Sequence, residues 1–170
     1  MITILRIGHR PARDKRITTH VALVARAFAA DKIMVDTKDA KLEATILGVV
    51  ARFGGSFRVE SGVPWRKILR AWHGKIIHLT MYGEHIDKVI KKIPTNDDLL
   101  IVVGSEKVPA EVYSQADFNI AIGHQPHSEV AALAIFLDRL HKGKALKKNF
   151  RGKFTIKDSA NGKVVIEKNE

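Results

Sequence analysis

The chain has 170 residues, with 29 Lys and Arg against 18 Asp and Glu and a net charge of +11 at neutral pH. Hydrophobic residues make up 45% and charged residues 28%, and no apolar run reaches the roughly 18 residues a bilayer span needs, which excludes a disordered tail and a membrane-spanning protein. The absence of Cys excludes a disulfide scaffold, thiolate-held zinc, iron–sulfur ligation and cysteine nucleophiles together, and a cytoplasmic protein is the expectation.

Ile2–Ile7 reads as a strand with little polar alternation, hence buried on both faces. Gly8–Ile17 reads as a basic loop, after which Thr18 or Thr19 caps a helix running to about Ala30. Lys32–Val35 is a short strand, Asp39–Phe53 an amphipathic helix stopped by Gly54-Gly55, and Ser56–Glu60 a strand. Pro64 at a first helical position starts Trp65–Trp72, which Gly74 stops. Strand Lys75–Met81, helix Glu84–Lys92, strand Leu99–Val103, a helical turn at Ala110–Gln115, strand Asp117–Ile122 and helix Pro126–His141 follow. Lys153–Ile156 and Lys163–Ile166, bracketing Ser159-Ala160-Asn161-Gly162, read as a β-hairpin.

Strand–helix alternation with buried strands predicts an α/β fold: a mostly parallel sheet with helices on both faces. It occupies residues 1–142, and residues 143–170 form a basic C-terminal extension carrying the hairpin. The charge is clustered. Arg139–Lys157 holds eight basic side chains and no acid, and Arg6–Arg16 holds five bases and one acid. A basic protein with two such patches is expected to meet a polyanion such as nucleic acid. Two helices are apolar almost all round: Val21–Ala30 has Arg26 as its one polar residue, and Val130–Leu137 has none. A domain of this size has little protein with which to cover every face of both, so a homodimer is expected.

Ligands of open parallel sheets bind outside the carboxyl ends of the strands. Three such ends stand out. The first is Leu79-Thr80-Met81-Tyr82-Gly83, the second Gly104-Ser105-Glu106-Lys107-Val108-Pro109 and the third Gly123-His124-Gln125-Pro126-His127-Ser128-Glu129. Glycine beside a strand end allows a sharp turn and close backbone approach to a ligand. There is no P-loop, no GxGxxG after a strand and no GxSxG elbow. His124 and His127 lack an evident third ligand and read as loop or cap histidines, so no metal is expected. Arg26 must reach solvent or be held by a partner, and Arg is suited to forked contact with phosphate.

Arg10, Arg13-Asp14, Arg16, Thr18-Thr19-His20 and Ala25-Arg26-Ala27-Phe28 together resemble the opening motif of the archaeal tRNA ribose methyltransferases of the SPOUT superfamily that modify cytidine 56. The string Gly104-Ser105-Glu106-Lys107-Val108-Pro109 and the run from Ile120 to Ala134 resemble that family's second and third motifs, in order along nearly the whole chain. The resemblance implies a C-terminal trefoil knot, which general topology rules argue against. It also implies S-adenosylmethionine held by Leu79, by Gly104, Ser105, Glu106, Lys107 and Val108, and by Ile122, Gly123, His124, Gln125, Pro126, His127, Ser128 and Glu129. It places Arg26 at an RNA phosphate beside the reacting ribose. His20 stands where many relatives have Asn, with loop support or proton handling both open. Arg10, Arg13 and Arg16 of the basic loop, and Lys144, Lys147, Lys148, Arg151 and Lys153 of the basic extension, are the expected contacts to RNA phosphates. The rival readings are an RNA-binding protein without catalysis, and methylation of another nucleotide or of a base atom.

Overall fold

A computed structural model describes residues 1–105 and 107–168. Six parallel strands form one sheet: β1 (Ile2–Ile7), β2 (Lys32–Val35), β3 (Arg58–Ser61), β4 (Lys75–His85), β5 (Leu99–Gly104) and β6 (Phe118–Ala121), in the order β3-β2-β1-β5-β4-β6. The strands form because they are runs of branched aliphatics that the sheet buries on both sides. In β5, Leu99 to Val103 are each at most 1% exposed. The order in which strands are added reverses between the parallel neighbours β1 and β5, where Arg6 pairs with Val103 and Ile7 with Gly104.

Alternate strand residues feed two cores. Ile4, Ile33, Ile77, Ile101 and Ile120 pack beneath α1 (Pro11–Ala27), α2 (Ala40–Phe53), α4 (Ile86–Val89) and α6 (Glu129–His141). Leu5, Met34, Leu100 and Val102 meet α3 (Trp65–Ala71) and α5 (Ala110–Gln115) on the other face. In α6, Ala132, Leu133, Phe136, Leu137 and Leu140 are buried within the chain, while Ala131 and Ile135 face outward. Among the described residues no helix is long and apolar enough to cross a membrane.

The helix expected from Thr18 or Thr19 begins at Pro11 instead. Proline suits the first helical position, and Asp14 stabilises the turn by accepting from the Arg10 backbone N–H at 3.1 Å and from Arg10 Nε at 2.7 Å. The buried residues of α1 are Asp14, Thr18, Val21, Ala22, Ala25 and Arg26, so the first two are polar. Thr18 Oγ1 lies 2.9 Å from His9 Nδ1, His9 Nε2 lies 3.1 Å from Asp39 Oδ2, and Asp39 caps α2 by accepting from the Leu42 N–H at 3.0 Å.

β4 outruns its expected end. Leu79 and Glu84 both lie opposite Ile120 of β6, so residues 80–83 loop out of the ladder and turn over the top of the sheet. Gly83 permits this: a Cβ there would run into the backbone of Asn119 and Ile120.

The extension comprises a 3₁₀ turn at Ala145–Lys147 and the hairpin β7 (Phe154–Lys157) with β8 (Val164–Glu167). It does not trail free. Arg151 bridges to Gly54, and Phe154 lies 6.2 Å from Phe53 at the end of α2. Gly54 (φ +78°) is required, because a Cβ would collide with the Phe150 carbonyl and Gly152. Since α2 ends just before β3 begins, the hairpin docks at the amino ends of the strands.

Candidate active site

A cavity of about 550 Å³ opens at the carboxyl ends of the strands, where the strand order reverses. β1 supplies Arg6, β4 His78 to Tyr82, β5 Val103 to Ser105, and the segments around β6 Ile120, Ile122, Pro126 and His127. The first turn of α1 adds Arg10, Arg13 and Asp14, α5 adds Tyr113 and α6 adds Glu129 and Ala132. A volume of this size suits a small organic ligand.

Arg6 is the buried charge at the centre, 1% exposed. Its Nη1 donates to the Gly104 carbonyl, and its Nη2 pairs with Glu129 Oε1 at 2.9 Å. One guanidinium therefore ties the end of β1 to the turn after β5 and to the first residue of α6. Burying such a charge is tolerable only with partners of this quality. Asp14 stands nearby: hydrogen bonds from Arg10 hold its carboxyl below the ordinary range, with the charges of Arg10 and Arg6 adding to the effect. Ser128 caps α6 by accepting from the Val130 N–H at 3.1 Å, which sets Glu129 at the helix start facing the cavity.

On the opposite wall His78 is fully buried, and its Nδ1 lies 2.9 Å from Asn119 Oδ1. The Tyr113 ring meets it edge-on at 4.6 Å, and the Tyr113 hydroxyl lies 3.1 Å from Thr80 Oγ1. Burial lowers the His78 pKa, an effect that the Asn119 contact partly offsets.

Of the expected cofactor contacts, Leu79, Gly104, Ser105, Val108, Ile122, Pro126, His127 and Glu129 line the cavity. Lys107, Gly123, His124, Gln125 and Ser128 lie in the same loops without lining it, and Glu106 lies outside the described residues. His124 Nε2 donates to the Gly83 carbonyl at 3.1 Å, pinning the third loop to the looped-out end of β4. Arg10 and Arg13 stand at the cavity, and Arg16 is exposed further along α1.

Arg26 and His20 are not brought to the cavity. Arg26 lies sixteen positions along α1 from Arg10, about 24 Å at 1.5 Å per residue. It is 8% exposed, donates from Nη2 to the Gly54 carbonyl at 2.7 Å, and sits 4.7 Å from the Phe150 ring centre. In this chain the extension covers the guanidinium expected to meet an RNA phosphate, and its partners are a carbonyl and an aromatic face. His20 is exposed midway along α1 and does not line the cavity. Lys144, Lys147, Lys148, Arg151 and Lys153 are exposed on the extension, at the far end of the sheet from the cavity. Arg6, His78 and Tyr113 escape a reading of the sequence alone. The available signal is a lone charge in the apolar run Ile2–Ile7 and a lone imidazole in Ile76–Leu79.

Residues 53–166 match the family model described as tRNA ribose 2'-O-methyltransferase, aTrm56. A protein from Methanothrix thermoacetophila named tRNA (cytidine(56)-2'-O)-methyltransferase is 55% identical over 170 residues, covering 98% of each chain. One of the same name from Picrophilus torridus is 57% identical over 165 residues, covering 97% of this chain, which spans 48% of that protein's length. Among solved structures, the A. aeolicus TrmH/SpoU tRNA modifying enzyme superposes with a TM-score of 0.61 at 15% identity, covering 87% of this chain and 79% of its own. The SpoU methyltransferase AviRb from Streptomyces viridochromogenes, in complex with AdoMet, gives 0.54 at 14% identity over 84% of this chain and 57% of its own. The fold is thus that of the SpoU/TrmH methyltransferases, and the chain belongs to the aTrm56 family of tRNA ribose 2'-O-methyltransferases.

Proposed function

We propose that this chain methylates the ribose 2'-oxygen of cytidine 56 in the T loop of tRNA, using S-adenosylmethionine. The observation that carries the reading is the cavity at the point where the strand order reverses. Its walls are the three strand-end segments that bear the family's motifs, in a chain 55% identical along its length to a protein of that name. The cavity fits the cofactor in volume and in chemistry. Its lining sets the apolar side chains of Leu79, Val108, Ile120 and Ile122, suited to an adenine ring, beside the polar Thr80, Ser105 and Glu129, suited to hydroxyl and ammonium groups.

S-Adenosylmethionine supplies, when bound, a methyl group activated on a sulfonium. The residues proposed to hold it are Leu79, the Gly104–Val108 turn and the loop from Ile122 to Glu129. Arg6 fixes the second and third of these relative to each other, so that the pocket is formed before a ligand arrives. Such preorganisation is worth several kcal/mol in a bimolecular transfer, up to about 7–11 in favourable cases. Arg10, Arg13 and Arg16 rise from the first turns of α1 beside the mouth and are proposed to take tRNA phosphates.

The reading also includes a trefoil knot in the C-terminal half of the sheet, a boundary at residue 142 between the methyltransferase domain and the extension, a cytoplasmic location and a homodimer. The outward face of α6, with Ile135 41% exposed, supports the dimer. A monomeric mass by light scattering at micromolar concentration overturns that part alone.

Tritiated methyl transfer to unmodified tRNA transcripts tests the activity. Label is expected in a transcript with C56 and not in one substituted there, and digestion should release 2'-O-methylcytidine. Label in the substituted tRNA, or a base-methylated nucleoside, overturns the assignment.

A further inference from the structure

Tyr82 is 77% exposed, more than any other large hydrophobic side chain among the described residues, and it lines the cavity. It lies in the segment 80–83 that loops out of the ladder between β4 and β6, and that segment is held from both sides. The Tyr82 N–H donates to Thr80 Oγ1 at 3.4 Å, and the same oxygen lies 3.1 Å from the Tyr113 hydroxyl. The next residue is fixed by its carbonyl, which accepts from His124 Nε2 at 3.1 Å, and by the Asn119 and Ile120 backbone, which leaves no room for a Cβ on Gly83. The Tyr82 side chain itself has no hydrogen bond, ring contact or cation partner among the described residues. Leu79 and Ile120 of the same cavity are buried, so Tyr82 marks the rim and they mark the inner wall. A pinned backbone that presents an uncovered aromatic ring at a pocket rim is a preorganised surface for another planar group.

We propose that the base of the reacting RNA nucleotide stacks on the Tyr82 ring. The inference rests on the proposed function and names how that site takes its substrate. For its ribose 2'-oxygen to meet a methyl donor inside the cavity, the nucleotide must leave the RNA stack, and the base joined to that ribose arrives at the rim. An aromatic face there replaces the neighbours the base has lost. A cofactor enclosed by the inner wall leaves a ring as exposed as Tyr82 in water. A second copy of a chain with net charge +11 would bring like charge to a rim where Arg10 and Arg13 are exposed, with Lys15 and Arg16 exposed close behind them on α1. The phosphates flanking an extruded base bring the opposite charge.

The test uses the full-length protein saturated with S-adenosylhomocysteine, and tRNA carrying either cytidine or an abasic ribose at position 56. Tyr82→Leu keeps apolar bulk without the ring face. It is expected to bind cytidine-56 tRNA about tenfold more weakly, with its melting temperature and S-adenosylhomocysteine affinity unchanged. Tyr82→Phe, which keeps the face, should recover most of that loss. On the abasic tRNA, wild type and Tyr82→Leu should bind alike, because the group that Tyr82 meets is gone. A Tyr82→Leu protein that matches wild type on cytidine-56 tRNA overturns the proposal, and so does a tenfold loss that persists on the abasic tRNA. Tyr82→Phe as weak as Tyr82→Leu also overturns it, since the hydroxyl and not the face would then be the contact. Weaker S-adenosylhomocysteine binding by Tyr82→Leu with unchanged tRNA binding overturns it in favour of a cofactor contact. A fall in molecular mass by light scattering overturns it in favour of a contact between copies. Wild-type protein that transfers no methyl group to cytidine-56 tRNA overturns the proposed function as well, whereas an active wild type with an indifferent Tyr82 overturns this inference alone.

Discussion

A guanidinium sealed from water needs acceptors or an aromatic face, and Arg26 finds both in the Gly54 carbonyl and the Phe150 ring. Its work is to fasten the extension to the end of α2. Arg26→Met keeps the bulk and removes the bond, so it should cost about 2 kcal/mol of stability and expose residues 143–168 to limited proteolysis. S-Adenosylhomocysteine affinity should stay within threefold of wild type. An unchanged melting temperature with a protected extension would refute this role. The sequence makes Arg26 conspicuous, as a lone charge on an apolar helix, but its partners lie in segments 28 and 124 residues further on, and nothing local announces them. The same holds for Arg6. Within the basic stretch Arg6–Arg16 it looks like one cation among five, yet it alone lies on a strand and is 1% exposed at the wall of the cavity.

At the scale of elements, strands were the legible part. β1 and β2 begin and end where the sequence places them, because an unbroken aliphatic run has few other ways to be buried. The start of α1 was hidden, because Asp14 and Thr18 hold the inward positions where periodicity looks for apolar residues. Polar groups buried against His9 and Arg10 leave no hydrophobic trace. The loop-out of β4 was equally invisible, since it depends on β6 supplying Ile120 as partner to both Leu79 and Glu84. It carries Thr80, Met81 and Tyr82 to the cavity, so its geometry bears on ligand affinity. Gly83→Ala should force the backbone of Asn119 aside, at a cost of about 3 kcal/mol in chemical denaturation, and weaken S-adenosylhomocysteine binding. Wild-type denaturation and affinity in that variant would mean the segment adjusts without strain.

For the molecule as a whole, several buried or paired groups hold depressed pKa values. Burial lowers those of His78 and His141, a backbone hydrogen bond from Leu42 leads the lowering of Asp39, and Lys38 leads that of Glu43. In each case the unfolded chain binds protons that the native one does not, so stability falls as pH falls. A melting-temperature profile should therefore decline first below about pH 6.5, from the histidines, and again below about pH 4, from the carboxylates. His78→Phe should flatten the first decline, and a flat wild-type profile between pH 7 and 5 would contradict the assignment. The strand-end cavity was legible from its glycine-flanked loops, whereas the docking of the extension at the other end of the sheet was not, since charge alone does not say where a segment packs. The tie from Arg6 to Gly104 spans 98 positions, and the same side chain reaches Glu129. A chain emerging from the ribosome thus has no finished pocket until α6 has been translated and has returned to the first strand. Closures over such separations are slow, and a ligand that recognises only the finished pocket draws the last of them to completion.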